Sequence, residues 1–515
     1  MLRKIKRFMS ILMAAVMITT IADAAVLMRA AALDDTDDSE NGIALLDTLT
    51  YEQLTYTVNN NQVTITGCDK SATSIVIPAQ IDGMNVVAIG NSAFAGCTSL
   101  KELIIPDGVR SLGYNIISRT AISSITIPKT VTSSNKAYDK DGALSGCDAL
   151  KEVKFAEGMT TIPSWICASR LTMSYSPMSY IEKVYIPSTV KTIASSAFYG
   201  CTSLKDVNIP NGVTRIGSHA FCDCKSLVSI EIPESVTNIG EYAFSGCIYL
   251  KKINIPQGIT KINDCAFDSC RSLKSIEIPK GVTSIGGSAF DDCRSLKSIE
   301  IPQGVTSIGD CAFSSCTSLK ELVIPNGVVS LGYAIIQDTK IDSITIPKTV
   351  KYVHMCDTGT GATSTGALSG NKTFLKKVKF EYGMTEIPAY ICACDDYHLS
   401  HGASYVEKVY IPETVTNIGE DAFYNCNRMI IYCKSGSYAH QYAIDNNIPF
   451  VTGDFFHESS KDDGSSTISN FATISYNGTT YNLLHQPINI DEKSEAEVSV
   501  KVNYENYTGH EKIYL

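Results

Sequence analysis

The segment CACDDYHLSH is the best candidate for a metal site in this chain of 515 residues. Its ligands would be Cys392, Cys394, His398 and His401, because thiolate and imidazole groups suit zinc. A Cys-x-Cys pair, however, departs from the Cys-x2-Cys spacing of common zinc sites. A similar earlier segment has Cys167 in place of Cys392 and lacks both histidines. We therefore predict an insertion loop here, with no metal ion and no cofactor.

Two histidines, His219 and His440, could serve a nucleophilic cysteine, but neither has an evident catalytic partner in the sequence. His219 occupies a repeat position that holds Tyr242, Cys265 and Ser288 in later copies. We therefore interpret His219 as a histidine at the rim of the fold.

The pair Asp291-Asp292 could in principle support general acid–base chemistry. It falls in a predicted turn between repeats, where no glycosidase-like framework surrounds it, so we predict a solvated turn. The glycines of IGGSAF match neither a P-loop nor a dinucleotide-binding fingerprint. We therefore predict no enzymatic activity and no catalytic residue.

The chain is organised by a short unit that contains the phrase Ile-Pro; one copy runs from Cys270 to Asp292, and Cys293 begins the next. A fixed period of about 20–29 residues with Leu-x-x-Ile-x-Ile is typical of a leucine-rich repeat. Prolines in register at the interval of this unit are Pro187, Pro210, Pro233, Pro256, Pro279, Pro302 and Pro325. Copies with altered spacing have Pro78, Pro106, Pro128, Pro347 and Pro412, and degenerate copies have Ala156 and Glu381.

Within one unit, Ser275–Ile278 alternates polar and apolar residues and ends at Pro279, which predicts a half-buried strand. Gly281 and Gly286 suit the turns that fold the chain back. One unit cannot enclose its own apolar face, so neighbouring units must stack. The predicted fold class is an α/β repeat: a leucine-rich-repeat solenoid, capped at both ends, with parallel β-strands on its concave face.

A larger block of the sequence is duplicated. TSLKELIIPDGVRSLGYNII from Thr98 matches TSLKELVIPNGVVSLGYAII from Thr317. The offset between the two copies has grown slightly by Pro187 and Pro412, which also match. Because irregular units recur as well, we interpret the irregularities as inherited structure.

The 18 cysteines would suggest a disulfide framework in a secreted chain, but their positions favour another arrangement. Equivalent cysteines of stacked units point the same way instead of toward each other. We predict a ladder of small buried side chains, with scattered disulfides as the alternative. The ladder comprises Cys97, Cys147, Cys201, Cys224, Cys247, Cys270, Cys293 and Cys316, whereas Cys222, Cys265 and Cys311 lie outside it as candidate free thiols.

The N-terminus has the pattern of an export signal. A positive start, Arg3–Arg7, precedes the apolar run Phe8–Ile21 and the small-x-small sequence Ala22–Ala24. The apolar run is short for a retained membrane anchor. The net charge of -10 argues against nucleic-acid binding and against a polybasic membrane patch. We predict a secreted, extracellular or surface-associated protein with no membrane span after signal cleavage.

The combination of Cys-x-x-Leu-x-x-Ile-x-Ile-Pro, Gly-Val-x-x-Ile-Gly and Ala-Phe resembles the BspA-like bacterial surface leucine-rich repeat, the type 5 repeat. The stretch from Leu54 is similar to the family's N-terminal hairpin, and the stretch from Tyr432 to its closing unit with a short helix. The resemblance implies a secreted or surface-displayed protein involved in adhesion. Fold alone does not determine function.

The predicted domains follow from these patterns. They are a signal peptide (1–24), a linker (25–50), the solenoid (51–452) with a hairpin cap (51–77) and a closing cap (427–452), a second linker (453–467), and a β-rich module (468–515) whose completeness the pattern leaves open. Within the last segment, alternating residues flank an Asn-Gly turn, which favours a hairpin.

Polar side chains on the strands, opposite the core, are the candidate binding surface, because concave solenoid faces commonly bind partners. Lysines and tyrosines flank an acidic centre, and Lys154 belongs to the first flank. The predicted partner-binding residues are Lys183, Tyr185, Asp206, Asn208, Glu231, Asn254, Glu277, Glu300, Glu321, Lys377, Lys379, Lys408 and Tyr410. The alternative is that these positions are polar simply because they face water.

We predict a monomeric, non-enzymatic solenoid that adheres to an extracellular protein or glycan. Insertions at 133–142, 168–180, 355–366 and 395–405 are rival contact sites, since function often lies on loops. Two other hypotheses remain open. The array could be the scaffold or targeting region of a secreted enzyme whose catalytic part is absent or unrecognised, or it could be a passive spacer.

Overall fold

The structure is a computed structural model. It describes residues 48–137, 141–169, 179–354, 366–370, 374–394, 406–456, 473–476 and 479–482. The predicted signal peptide, nearly all of the first linker, most of the four insertions and most of the segment after residue 456 lie outside these ranges, so their boundaries stay predictions. His398 and His401 lie outside them as well.

The repeat array begins with a short antiparallel sheet. Strands β1, β2 and β3 pair in order, and β6 adds parallel to β3. β5 pairs antiparallel with β6, whereas β4 pairs with the next coil. These strands are β1 (Leu49–Tyr51), β2 (Leu54–Asn59), β3 (Gln62–Cys68), β4 (Ser74–Val76), β5 (Gln80–Ile81) and β6 (Met84–Ile89).

Each following coil contributes short parallel strands to a stack. The elements are β7 (Glu102–Ile104), β8 (Ser111–Leu112), β9 (Ser124–Ile127), β10 (Ser133–Ser134), β11 (Glu152–Phe155), β12 (Thr161–Ile162), β13 (Lys183–Tyr185), β14 (Thr192–Ile193), β15 (Asp206–Val207), β16 (Arg215–Ile216), β17 (Ser229–Ile230), β18 (Asn238–Ile239), β19 (Lys252–Ile253), β20 (Lys261–Ile262), β21 (Ser284–Ile285), β22 (Ser307–Ile308), β23 (Ser330–Leu331), β24 (Ser343–Ile346), β25 (Tyr352–Val353), β26 (Lys377–Phe380), β27 (Glu386–Ile387), β28 (Lys408–Tyr410), β29 (Asn417–Ile418), β30 (Ile430–Cys433), α1 (Tyr438–Asp445) and β31 (Phe450–Thr452).

The predicted strands before each Ile-Pro form what we call the first ladder. It includes the parallel runs β9-β11-β13-β15 and β24-β26-β28-β30-β31. The segments that end at Pro279, Pro302 and Pro325 form no regular strand, yet they keep the alternation. Ile276 and Ile278 are buried, and Glu277 between them is exposed.

A second ladder, which the sequence analysis missed, runs along another side of each coil. It includes β12-β14-β16-β18 and β20-β21-β22-β23-β25. In β21, for example, Ile285 is buried and aligns with Ile262 and Ile308 of the adjacent coils. Most of these strands have two residues, which is too short to show an alternation in the sequence.

Phenylalanines of successive coils form the centre of the core. Phe221, Phe244, Phe267, Phe290 and Phe313 stack on one another with ring centroids 5.5–5.9 Å apart and planes within 10° of parallel. All are nearly inaccessible to solvent. Offset stacking of this kind adds to the free energy that burial of the rings supplies.

Two other phenylalanine pairs meet edge-on instead of stacking. Phe155 meets Phe198 edge-on at 76°, and Phe380 meets Phe423 at 75°. The two pairs occupy matching positions in the two copies of the duplicated block, so the duplication retains this irregular contact.

The glycine of each Ile-Gly is required by close packing, which corrects its predicted role in a turn. Gly286 does not have a positive φ, but a Cβ at this position would lie 2.6 Å from the backbone nitrogen of Asp264 in the preceding coil. Gly281 also lacks a positive φ, and a Cβ there would meet nothing closer than 3.8 Å. Gly286 is therefore required for packing against the preceding coil, whereas Gly281 is not.

The array closes with a short helix. Ser437 caps α1 by accepting a hydrogen bond from the His440 backbone nitrogen, and Ala439 and Ala443 are buried. No helix in the described ranges is both long and apolar enough to cross a membrane. Further along, β32 (Thr473–Tyr476) pairs antiparallel with β33 (Thr479–Asn482), as the predicted hairpin requires.

Because only Gly286 lies against a neighbouring backbone, we expect Gly286→Ala to lower the free energy of unfolding by about 1–3 kcal/mol. The matched substitution Gly281→Ala should leave it within about 1 kcal/mol, since alanine also restricts the unfolded chain. Chemical denaturation followed by circular dichroism measures both. Equal effects of the two substitutions would contradict the packing role of Gly286.

Candidate binding surface

The strands of the first ladder present two parallel rows of side chains away from the core. We call them the first and second outward rows. Strand registers align Lys183 with Asp206, Ser343 with Lys377 and Lys408, and Tyr410 with Tyr432. Along the middle coils, the first row is Lys183, Asp206, Ser229, Lys252, Ser275, Ser298, Glu321, Ser343, Lys377 and Lys408. The second row is Tyr185, Asn208, Glu231, Asn254, Glu277, Glu300, Val323, Thr345, Lys379 and Tyr410.

All of the predicted partner-binding residues lie in these two rows. Nine of them are exposed and four are half-buried, so none belongs to the core. The exposed residues are Lys183, Tyr185, Asp206, Asn208, Glu231, Glu277, Glu300, Glu321 and Lys377. The half-buried residues are Asn254, Lys379, Lys408 and Tyr410.

The residues of the predicted acidic centre are divided between the two outward rows. Glu231, Glu277 and Glu300 share the second row, but Glu321 lies in the first row. The second-row position of that coil is Val323, which is 65% exposed. Lys252 in the first row also lies beside the acidic residues. Aligning the repeats at Ile-Pro would have revealed both departures.

The side chain of Asn254 forms hydrogen bonds to the backbone of a neighbouring coil. Its side-chain nitrogen donates to the Ile232 carbonyl at 2.7 Å, and its side-chain oxygen accepts from the Ile232 backbone nitrogen at 2.8 Å. This pair of hydrogen bonds joins the two coils whose strands β17 and β19 also pair. Asn254 therefore stabilises the stack, and its polar atoms are engaged within the protein.

The N-terminal end of the second row is apolar, which the sequence analysis did not identify. Val76 of β4 pairs in register with Ile104 of β7, and both side chains are exposed. A depression in the surface begins at Ile104. It is lined by Glu102, Leu103, Ile104, Ile105, Asp107, Ser124, Ile125, Thr126, Pro128 and Ala156.

Lysine ammonium groups lie near tyrosine rings at both predicted flanks. In the first flank, Lys154 Nζ is 5.7 Å from the Tyr185 ring centroid. In the second, Lys377 Nζ is 4.9 Å from the Tyr410 ring centroid. These distances are within the range of cation–π attraction. The second flank is richer in aromatic rings, because Tyr410 stacks on Tyr432 at 4.7 Å.

The second flank is covered by residues that the sequence analysis placed in a linker. Phe455 contacts Tyr410 and Tyr432 edge-on, with centroids 5.8 and 5.4 Å away. Phe456 lies 6.4 Å from the Tyr382 ring and 5.2 Å from Lys379 Nζ. Burial raises the pKa of the Tyr410 and Tyr432 hydroxyls above the usual value. Phe455 and Phe456, in the predicted linker, therefore pack against the last coils.

The residues considered as catalytic or metal-binding candidates pack against other residues of the fold. His219 is half-buried, and its ring stacks on Tyr242 at 4.6 Å. Both residues have a positive φ, as does Cys265 at the same position of the next coil. Cys392 is buried in the core and Cys394 is half-buried. Among the described residues, no group of three His, Cys, Asp or Glu side chains could hold a metal ion.

The predicted solvated turn at Asp291-Asp292 is instead a small ion-pair network. Asp292 accepts from Arg271 at 2.7 Å, and it also pairs with Arg294. Burial opposes ionisation of Asp292, but hydrogen bonds from Arg294 and Arg271 prevail and lower the pKa of its carboxyl. Burial raises the pKa of the Asp291 carboxyl. The arginines connect two adjacent coils.

The described cysteines are free thiols, and most ladder cysteines donate a hydrogen bond to the preceding coil. Cys270 Sγ donates to the Phe244 carbonyl at 3.3 Å, and Cys293 Sγ to the Phe267 carbonyl at 3.2 Å. Burial raises the pKa of both thiols well above the usual value. Equivalent bonds are made by Cys201, Cys224, Cys247, Cys316 and Cys426.

Since thiolates are the reactive form, we expect the ladder cysteines to resist iodoacetamide in the folded protein at pH 8.5. Half-buried Cys265 and Cys394 serve as internal references, because part of each side chain reaches solvent. Peptide mass spectrometry after labelling, with and without denaturant, measures each site. Labelling of Cys270 at the rate of Cys265 in the folded protein would contradict the ladder.

The family model of the BspA type leucine rich repeat region matches residues 66–176, 172–294, 237–356 and 395–474, in six copies. No curated protein matches the chain.

Several solved structures are similar to this chain. A leucine-rich repeat protein from Bacteroides ovatus is 24% identical, with 75% of this chain and 84% of that chain covered and a TM-score of 0.46. A leucine rich cell surface protein from Faecalibacterium prausnitzii is 24% identical, with coverage of 79% and 98% and a TM-score of 0.40. The pneumococcal vaccine antigen PcpA is 12% identical, with coverage of 78% and 96% and a TM-score of 0.40.

Proposed function

Because the chain belongs to the BspA-type leucine-rich repeat family, we propose that it is a non-enzymatic binding protein that acts outside the cell or on its surface. The export-signal pattern at residues 1–24 supports this location. The partner we propose is an extracellular protein or glycan.

The observation that carries the proposal is the pair of outward rows. Each coil adds one side chain to each row, and the stacked core holds successive coils in register. Side chains at these positions can change without disturbing the core, because they face away from it. A rigid surface with adjustable chemistry suits recognition of a large partner.

The chemistry of the rows favours a mixed partner surface. An apolar end at Val76 and Ile104 is followed by the acidic row of Glu231, Glu277 and Glu300. The acidic row would repel the phosphates of a nucleic acid. Basic groups on a partner protein, or hydroxyl groups on a glycan, could instead be recognised by these carboxylates.

We further propose that the two ends act as caps and that the protein is a monomer. The sheet β1-β2-β3 covers the N-terminal side of β6, and α1 accompanies the last strands β30 and β31. Terminal coils without such elements would expose apolar side chains and open strand edges.

Exchange of the acidic row for lysine tests this function directly. Glu231→Lys, Glu277→Lys and Glu300→Lys together should weaken binding of the mature protein to its partner by at least about tenfold, because the favoured charge is reversed. All three residues are exposed, so folding should be little affected. The measurement is surface plasmon resonance against immobilised matrix proteins, mucins and microbial glycans.

A matched control carries Glu157→Lys, Glu241→Lys and Glu420→Lys. These residues are exposed and lie outside the two outward rows, and the net charge changes by the same amount. Binding that both triple variants retain, or lose equally, would remove the outward rows from consideration. Absence of any saturable partner would leave the spacer hypothesis.

A further inference from the structure

The second Lys/Tyr flank already holds a segment of this chain, which indicates what chemistry the flank accepts. Phe455 fits edge-on against the stacked pair Tyr410 and Tyr432. Phe456 lies between the Tyr382 ring and Lys379 Nζ. We call this group of rings and lysines the aromatic site. Its lysines are Lys377, Lys379 and Lys408.

We propose that the aromatic site binds a peptide with two adjacent aromatic side chains beside a carboxylate, and that Asp454–Phe456 is its resident occupant. The inference rests on the proposed function, since it assigns one end of the outward rows to one class of partner. A partner segment displaces the occupant and takes its place.

The lysines account for the carboxylate in the partner. Across the ranges that the structure describes, none of the three forms an ion pair, and each lies within 6 Å of an aromatic ring. These ammonium groups can therefore pair with a carboxylate of a partner segment. In the resident segment, the Asp454 carboxylate accepts a hydrogen bond from the Phe456 backbone nitrogen at 3.4 Å. The aromatic rings supply the apolar contact through edge-to-face packing.

The resident segment leaves part of the site accessible to a competitor. The Gly453 nitrogen donates a hydrogen bond to the Cys433 carbonyl at 2.9 Å. Asp454 is exposed, and Phe455 and Phe456 remain half-buried. Tyr185, which matches Tyr410 in the first copy of the duplicated block, is 47% exposed.

The test uses the full chain and a fluorescein-labelled peptide TGDFFHES, the sequence of residues 452–459. The double variant Phe455→Ala, Phe456→Ala exposes the site and should bind the peptide at least about tenfold more tightly than the unchanged protein, by removal of the competitor. Adding Tyr432→Ala should abolish this binding. Adding Tyr185→Ala instead should leave it unchanged. Fluorescence anisotropy measures all four proteins.

Equal affinity of the double variant and the unchanged protein, or loss of binding with Tyr185→Ala, overturns the proposal. A peptide with serine in place of both phenylalanines must not bind. The single variant Phe456→Ala provides the same comparison if circular dichroism shows the double variant to be unfolded. A partner that requires the acidic row, together with no peptide binding here, would reject the aromatic site alone and keep the proposed function.

The first cysteine of the ladder has different surroundings from the later ones. Cys97 is fully buried, and its sulfur lies 2.9 Å from the sulfur of Cys68 at the end of β3. Later ladder cysteines face a backbone carbonyl of the preceding coil, as Cys270 faces that of Phe244. The element before Cys97 is the β2-β3 hairpin, which presents a thiol instead. The two sulfurs therefore face each other.

We infer that Cys68 and Cys97 form a disulfide when the protein meets an oxidising exterior. The two thiols lose two protons and two electrons to a small-molecule disulfide, which is reduced to two thiols. The sulfurs need to approach by less than about 1 Å to reach bonding distance. The bond would tie β3 to the first coil.

Oxidation of the full chain with oxidised glutathione tests the inference. Non-reducing peptide mapping should find the peptides of Cys68 and Cys97 joined, two hydrogens lighter, and a reductant should lower the Tm by several degrees. Burial raises the pKa of Cys68 to about 12, so the reaction should be slow and should accelerate with pH. Free thiols at both positions after prolonged oxidation would overturn the inference.

Two variants make the thermal measurement specific. In Cys68→Ser the reductant should no longer change the Tm. In Cys265→Ser, which alters another half-buried thiol, the effect of the reductant should persist. A reductant effect that survives Cys68→Ser would assign the link to other cysteines.

Discussion

The close stacking of successive coils is the constraint on which the rest of the structure depends. Backbone hydrogen bonds join each coil to the next, as from the Phe267 nitrogen to the Ala289 carbonyl, 2.9 Å away. At such separations equivalent strand atoms must lie in register, and they do so even where the unit is longer, as between β24 and β26. The phenylalanine column, the thiol ladder and the glycine at Ile-Gly all depend on this close stacking of coils in register. The two outward rows depend on it as well, because each row exists only while successive coils stay in register.

The parts of the fold that could be predicted from the sequence are those that recur once per repeat unit. The first ladder, the buried cysteines and the outward-facing positions each recur once per unit, so their places follow from the period alone. The second ladder was missed because strands of two residues, such as Ser284–Ile285, show no alternation. The role of Gly286 was misassigned because the distance between coils is not visible within one coil.

The candidate site was predictable in outline and less so in detail. Alternation placed Glu231 and Tyr185 on the surface, and comparison of units would also have placed Lys252 and Val323 there. The hydrogen bonds of Asn254 depend on a neighbouring coil, and the contacts of Phe455 depend on a reversal of the chain after β31. Such long-range contacts leave no periodic signal. The aromatic pair within a polar stretch was the one local clue.

The two edge-on phenylalanine contacts have a consequence for how such a chain can change in length. Between Phe198 and Phe313 the rings stack nearly parallel to one another. A coil inserted or deleted there would therefore pack against neighbours of the same kind. At Phe155–Phe198 and Phe380–Phe423 the rings turn by about a right angle, and an ordinary coil would not fit. Unequal recombination between repeats would therefore be tolerated in the uniform stretch and disfavoured at the two edge-on pairs. The acidic row could lengthen or shorten by one coil at a time, while the flanks on either side kept their form.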